Sequence, residues 1–106
     1  MIYYPVNSVA VSPGDKQRLA VLARRLGTDS SAVVQVKGFA DQTGNAAYNL
    51  SLSRKRAEQI RTYLVTSLGV APERVIVNYF GQAQATDAKQ NPYDRRVELE
   101  LYSTEK

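Results

Sequence analysis

The chain has 106 residues, a formal net charge of +4 and a pI near 9.5, which suits one compact domain attracted to something anionic. It contains no Cys and no His, so a thiol nucleophile, an imidazole base and a Cys/His zinc site are all excluded. An enzyme built from it would have to rely on its ten carboxylates, Lys, Ser/Thr or Tyr, and no cofactor or metal is called for.

Residues 2–11 read as extended, with Ile2, Tyr3, Tyr4, Val6, Val9 and Val11 set around Pro5. Ser12-Pro13-Gly14-Asp15 is a helix start, with Ser as N-cap and Pro at the first helical position. Leu19, Leu22, Ala23 and Leu26 follow at helical spacing, and Gly27 supplies an expected left-handed stop. Val33, Val34, Val36 and Phe39 make a second strand, from about 32 to 38, whose apolar run predicts a central place buried on both faces.

A loop from 39 to about 47 leads into a second helix, with Leu52, Ala57, Ile60, Leu64 and Leu68 on one face and Gly69 at its end. Arg54, Lys55, Glu58 and Arg61 read as its solvated side. Pro72-Glu73 is a turn, Val75, Val77 and Tyr79 alternate as a third strand, and 81–92 is polar surface loop. Val97, Leu99 and Leu101 alternate with Arg96, Glu98 and Glu100 as a half-buried last strand. The order β-α-β-α-β-loop-β predicts an α+β fold: two main helices packed on one mixed four-stranded sheet. There is no internal repeat, no second domain, and no apolar run near the roughly 20 residues that span a bilayer. Met1-Ile2-Tyr3-Tyr4-Pro5 does not read as a signal peptide, which leaves a cytosolic protein or a piece of a longer exported chain.

The segment Gly38-Phe39-Ala40-Asp41-Gln42-Thr43-Gly44 carries one acidic side chain in a Gly-bounded loop. Arg56 follows fifteen positions after Asp41, at the expected start of the second helix. An Asp and an Arg held apart suit a small zwitterion: the Asp accepts an ammonium, and the guanidinium fork grips a carboxylate. Each residue alone has a plainer reading, Asp41 as turn chemistry and Arg56 as part of a solvated basic face. Asn49 divides between helix cap and ligand contact. Strand alternation puts Arg95 in phase with Val97, toward the site, and Arg96 with Glu98.

The run GFADQTG…YN…LS..RA…YL…GV.PERV…G……DRRVELEL resembles the OmpA-like peptidoglycan-binding domain, closely over residues 38–101 and more loosely over 2–37. That resemblance implies a single domain over 1–106, part of a longer envelope protein of the periplasm of a Gram-negative-type bacterium, tethered to a membrane through a preceding anchor. It implies noncovalent binding of cell-wall peptidoglycan through the diaminopimelate residue of the stem peptide, with no catalysis and no nucleic-acid partner. Asp41 and Arg56 fall on the positions that hold diaminopimelate. Asn49, Arg95 and Asn7 fall on polar contact positions, and Ala40 stands where the family usually has Thr. Asp94, before the basic pair, replaces the usual Asn. A lysine-type stem lacks the side-chain carboxylate and would leave Arg56 without its partner. An alternative from another class is a protein-interaction module of a secretion or motor complex, with other envelope proteins as partners and weakened peptidoglycan binding.

Overall fold

The computed structural model describes residues 2–4, 10–29, 31–40, 45–81 and 95–103. Asn7, Asp41, Asp94 and the 82–92 stretch of the expected surface loop lie outside the described residues.

Strand β1 is short, Ile2–Tyr3. Tyr4 extends its pairing by one bond, its N–H donating to the Arg95 carbonyl at 2.9 Å. Of the stretch expected to be extended to residue 11, residues 5–9 lie outside the described residues and 10–12 belong to no strand, although Ser12, which caps the next helix, has extended backbone. Helix α1 spans Pro13–Thr28, and the Ser12 hydroxyl accepts from the Asp15 N–H at 3.1 Å. Leu19 and Leu26, seven residues apart, are its fully buried positions.

The stop expected at Gly27 is corrected. Gly27 has no positive φ, and the helix runs through it to Thr28, with an extended Asp29 (φ −135°) as the capping residue. Arg74 meets the carbonyls there instead. Its Nη2 donates to Leu26 O at 2.8 Å and Asp29 O at 2.6 Å, and its Nε to Ala32 O at 2.8 Å. A side chain 42 to 48 residues away thus does what a C-terminal glycine does in other helices.

Strand β2, Val33–Gly38, lies inside the sheet, whose order is β1-β4-β2-β3. Strand β3 is Val75–Tyr79 and β4 is Arg96–Tyr102. β2 pairs parallel with β3 and antiparallel with β4, so the sheet is mixed. The central position of β2 is as expected; its burial on both faces is not. Val34, Val36 and Gly38 are buried, while Val33, Gln35 and Lys37 are half-buried. Among the described residues the helices cover one face only. On the other, Lys37 pairs with Glu100, Arg96 with Glu98, and Tyr3, Ile76 and Tyr102 stand exposed.

Helix α2 is Ala46–Thr62. It widens into a π-helical turn, Tyr63–Ser67, where the Leu68 N–H reaches back to Tyr63 O. Gly69, at φ +73°, ends it as expected. A 3-10 turn, Pro72–Arg74, then feeds β3. The core joins Leu19 and Leu26 of α1 and Ala57, Ile60 and Leu64 of the second helical segment to Ile2, Val34, Val36, Val75 and Val97 of the sheet. Leu68, expected on the same apolar face, is only half-buried, because it lies just past the π turn. Arg61, expected in water, is half-buried too: its guanidinium donates to Val75 O at 3.3 Å and Pro72 O at 3.1 Å.

Candidate ligand-binding site

The parallel strands β2 and β3 end side by side against the N-terminal half of α2, and two glycines let them come so close. A Cβ on Gly38 would lie 2.1 Å from the Ser53 carbonyl oxygen. Gly81 follows β3 at φ +58°, and a Cβ there would lie 2.9 Å from the Leu50 Cα. Gly81 ties the three elements together: its carbonyl accepts from the Ala40 N–H at 2.8 Å, and its N–H donates to Ser53 Oγ at 2.9 Å. Ser53 in turn donates to Leu50 O at 2.8 Å. Phe39 and Phe80, one at each strand end, stack with ring centroids 5.2 Å apart.

Arg56 lies under this junction. Its position corrects the expectation of a helix start: it is ten residues beyond Ala46, well inside α2. It is also 0% exposed, where a solvated basic face would leave it in water. One Nη donates to the Phe39 carbonyl at 3.4 Å, and Cζ stands 4.8 Å from the centroid of the Tyr4 ring. A guanidinium removed from water needs such partners. Tyr4 is itself held at its backbone, because Arg95 Nε donates to its carbonyl at 2.8 Å. Its hydroxyl is buried and makes no hydrogen bond among the described residues. Burial pushes the Tyr4 phenol well above its usual value; the nearby Arg56 charge works against that shift, and Asp15 adds to it.

The other anticipated residues divide. Asn49 is buried in the first turns of α2, so the cap reading is corrected: the N-cap is Asn45, whose Oδ1 accepts from the Tyr48 N–H at 2.7 Å. Ala40 is buried at the Gly81 junction. Arg95 lies against the Tyr4 backbone. Arg96 pairs with Glu98 at 2.7 Å on the open face, in the expected phase, and its guanidinium also covers the Phe39 ring at 4.1 Å.

Sequence reasoning passed over Tyr4 and Ser53. The signal for Ser53 was present: Asn49, Ser53 and Arg56 recur at i, i+4 and i+7 within the buried stripe of α2, a run of polar side chains where the pattern calls for apolar ones. Such a stripe is stable only if each member finds a partner. No comparable signal marked Tyr4.

The fold that positions these residues is found in known proteins. The family profile that matches residues 3–98 is described as the OmpA family. The chain belongs to the OmpA family. The peptidoglycan-associated lipoprotein of Buchnera aphidicola (subsp. Baizongia pistaciae) is 30% identical over 96 residues, covering 89% of this chain and 55% of that protein. The crystal structure of the peptidoglycan-associated lipoprotein from Burkholderia pseudomallei superimposes with a TM-score of 0.85 at 25% identity, covering 95% of this chain and 88% of that one. The C-terminal domain of Helicobacter pylori MotB shares the fold at a TM-score of 0.79 and 19% identity, covering 96% and 82%. This OmpA-family chain spans 55%, 55% and 33% of the length of three of its sequence relatives. Their names are those of outer membrane proteins and lipoproteins, not of enzymes. The OmpA-family architecture is two helices on a mixed four-stranded sheet, as the sequence pattern indicated.

Proposed function

We propose that this domain binds peptidoglycan noncovalently and anchors a larger envelope protein to the cell wall from the periplasmic side. In this reading the ligand is the diaminopimelate residue of the stem peptide. Its side-chain end carries an ammonium and a carboxylate on one carbon. Arg56 holds the carboxylate, and Asp41 accepts the ammonium. Asn49, Arg95, Ala40 and Asn7 complete the lining.

The observation that carries the reading is the setting of Arg56. A wholly buried guanidinium rests on an aromatic ring and on the carbonyl of Phe39, two residues before Asp41 in the chain. Arg56 belongs to the buried polar run with Asn49 and Ser53, and a polar run in a buried stripe is a feature that packing alone would not select. In a water-poor setting a two-pronged carboxylate contact is strong, and removing one side of a desolvated charge pair costs about 2–5 kcal/mol. The names of relatives such as the Buchnera lipoprotein point the same way.

The test is co-sedimentation with purified diaminopimelate-type sacculi, run for the wild type, Asp41→Ala and Arg56→Ala, with circular dichroism to establish folding. Wild type sediments and both variants stay in solution. Free diaminopimelate releases the wild type; lysine, which lacks the second carboxylate, does not. Undiminished sedimentation of either folded variant would sink the assignment of the site.

A second reading has its own observation. The open face of the sheet presents Tyr3, Ile76 and Tyr102 beside the Lys37–Glu100 and Arg96–Glu98 pairs, a mixture suited to a protein partner in an envelope complex. It predicts retained partner binding in a protein that ignores sacculi.

A further inference from the structure

A concavity lies on the helical side, further along α2 from Arg56. It is an open cleft of about 310 Å³ between the entry to α1 and the π turn, lined by Val11, Lys16, Gln59, Thr62, Tyr63 and Ser67 among others. Its wall is polar. The Lys16 ammonium stands 5.5 Å from the Tyr63 ring centroid and makes no ion pair among the described residues. The acid beside it in sequence, Asp15, accepts from the Ser12 hydroxyl and pairs with Arg18 at 3.8 Å. The Gln59 amide and the Thr62 and Ser67 hydroxyls make no hydrogen bond to described residues. The Thr66 hydroxyl donates to Thr62 O at 2.6 Å, in the turn where the helix widens. π-helical turns of this kind are frequent at functional sites.

We infer that this cleft is a second subsite for the same stem peptide, in which Lys16 takes the free α-carboxylate of the γ-linked glutamate that precedes diaminopimelate. The inference rests on the wall-binding reading. The cleft offers one cation with donors and acceptors around it, which suits a carboxylate on an amide-rich chain. Its distance from Arg56 also suits that chain. Arg56 and Tyr63 are seven residues apart on one helical segment, about 10 Å of rise. A stem gripped at the far end of its diaminopimelate side chain carries the glutamate carboxylate on the order of 10 Å away, at extended-chain reach. Gln59 bridges the interval, three residues from Arg56 and therefore its neighbour along the helix.

The experiment titrates the folded domain with two soluble peptides, L-alanyl-γ-D-glutamyl-diaminopimelate and the same peptide with the glutamate α-carboxylate amidated, for the wild type, Lys16→Met and Lys16→Arg. Lys16 is exposed, so neither substitution threatens the fold. Wild type prefers the free carboxylate by about three- to tenfold, the range of a partly exposed charge-assisted contact. Lys16→Met loses that factor on the free-carboxylate peptide alone, which brings the two peptides level, and Lys16→Arg keeps the preference. Equal binding of both peptides by wild type, or a preference that survives Lys16→Met, overturns the subsite and leaves the Arg56 reading standing. Binding of neither peptide by folded wild type removes both.

Discussion

Gly38→Ala is the sharpest test of how the site is assembled. The Gly38 backbone does not need a positive φ, so the issue is space alone: the added methyl would sit 2.1 Å from Ser53 O and 2.8 Å from Ser53 C. Carbon–oxygen approaches of about 3.3 Å are the ordinary lower limit, leaving roughly 1.2 Å to be recovered. The clashing atoms are helix backbone and cannot swing aside as the end of a flexible side chain could. Either α2 slides off the strand ends or β2 withdraws. Overpacking of this kind costs about 1–3 kcal/mol and sometimes more, and a backbone obstacle places the expected cost at about 3 kcal/mol. That is a large part of the roughly 5–15 kcal/mol that holds a domain folded, and at about 4 °C per kcal/mol it lowers Tm by roughly 12 °C. Urea titration followed by far-ultraviolet circular dichroism measures the loss. The same shift would draw α2, and Arg56 with it, away from Phe39, so binding at the Arg56 site should weaken beyond what the unfolded fraction explains. A Gly38→Ala protein within about 0.5 kcal/mol of wild type would refute the reasoning.

Gly27→Ala serves as the opposite case: the residue is helical and a Cβ meets nothing within 4 Å, so stability rises by about 0.5–1 kcal/mol in the same titration. Tyr4→Phe removes a buried hydroxyl with no partner among the described residues and keeps the ring beneath Arg56, so it should stabilise by about 1 kcal/mol; a clear loss would mean that the hydroxyl is satisfied. The same variant tests a pH effect. Tyr4 is raised on folding, so its contribution is complete below the unfolded value near 10 and is lost as pH climbs past it, when the unfolded chain ionises. Thermal melts between pH 8 and 11 should show a shallower alkaline decline in Tyr4→Phe than in wild type. Arg74→Met strips the donors from three carbonyls at once and should cost about 2–4 kcal/mol; a denaturation midpoint unchanged by it would show that water replaces the guanidinium freely.

Much of the fold was legible because it follows from period and punctuation. The Ser12-Pro13 start and the left-handed Gly69 each depend on a few neighbouring residues, and each is where the pattern put it; the last strand is in place too, but its alternation fades after the buried Val97, with Leu99 half-buried and Leu101 exposed. What could not be read depends on partners distant in sequence. Gly27 looks like a stop until Arg74 arrives from 3-10 turn territory to take the carbonyls. The apolar run 33–36 looks buried on both faces until, among the described residues, the helices prove to cover only one. At the site, the choice of Arg56 came from residue type, its spacing from Asp41 and the resemblance to the OmpA-like domain. Its burial, its seat on Tyr4 and its place mid-helix could not, because they arise where three chain segments converge. Asn49 shows the same limit: a cap at Asn45 and a cap at Asn49 differ by one turn, and local sequence favours neither strongly.

The Arg74 clamp also bears on the order in which the chain folds. The cap of α1's first turn is local, formed as soon as Ser12 and Asp15 are in place. The last turn is different, for its carbonyls wait on a residue 48 positions downstream, beyond the whole of α2. Closing so wide a loop carries an entropy that only the assembled core offsets. The two ends of one helix therefore belong to different moments of folding: mutations near Asp15 should alter the folding rate, while those around Leu26 and Arg74 should act chiefly on the rate of unfolding.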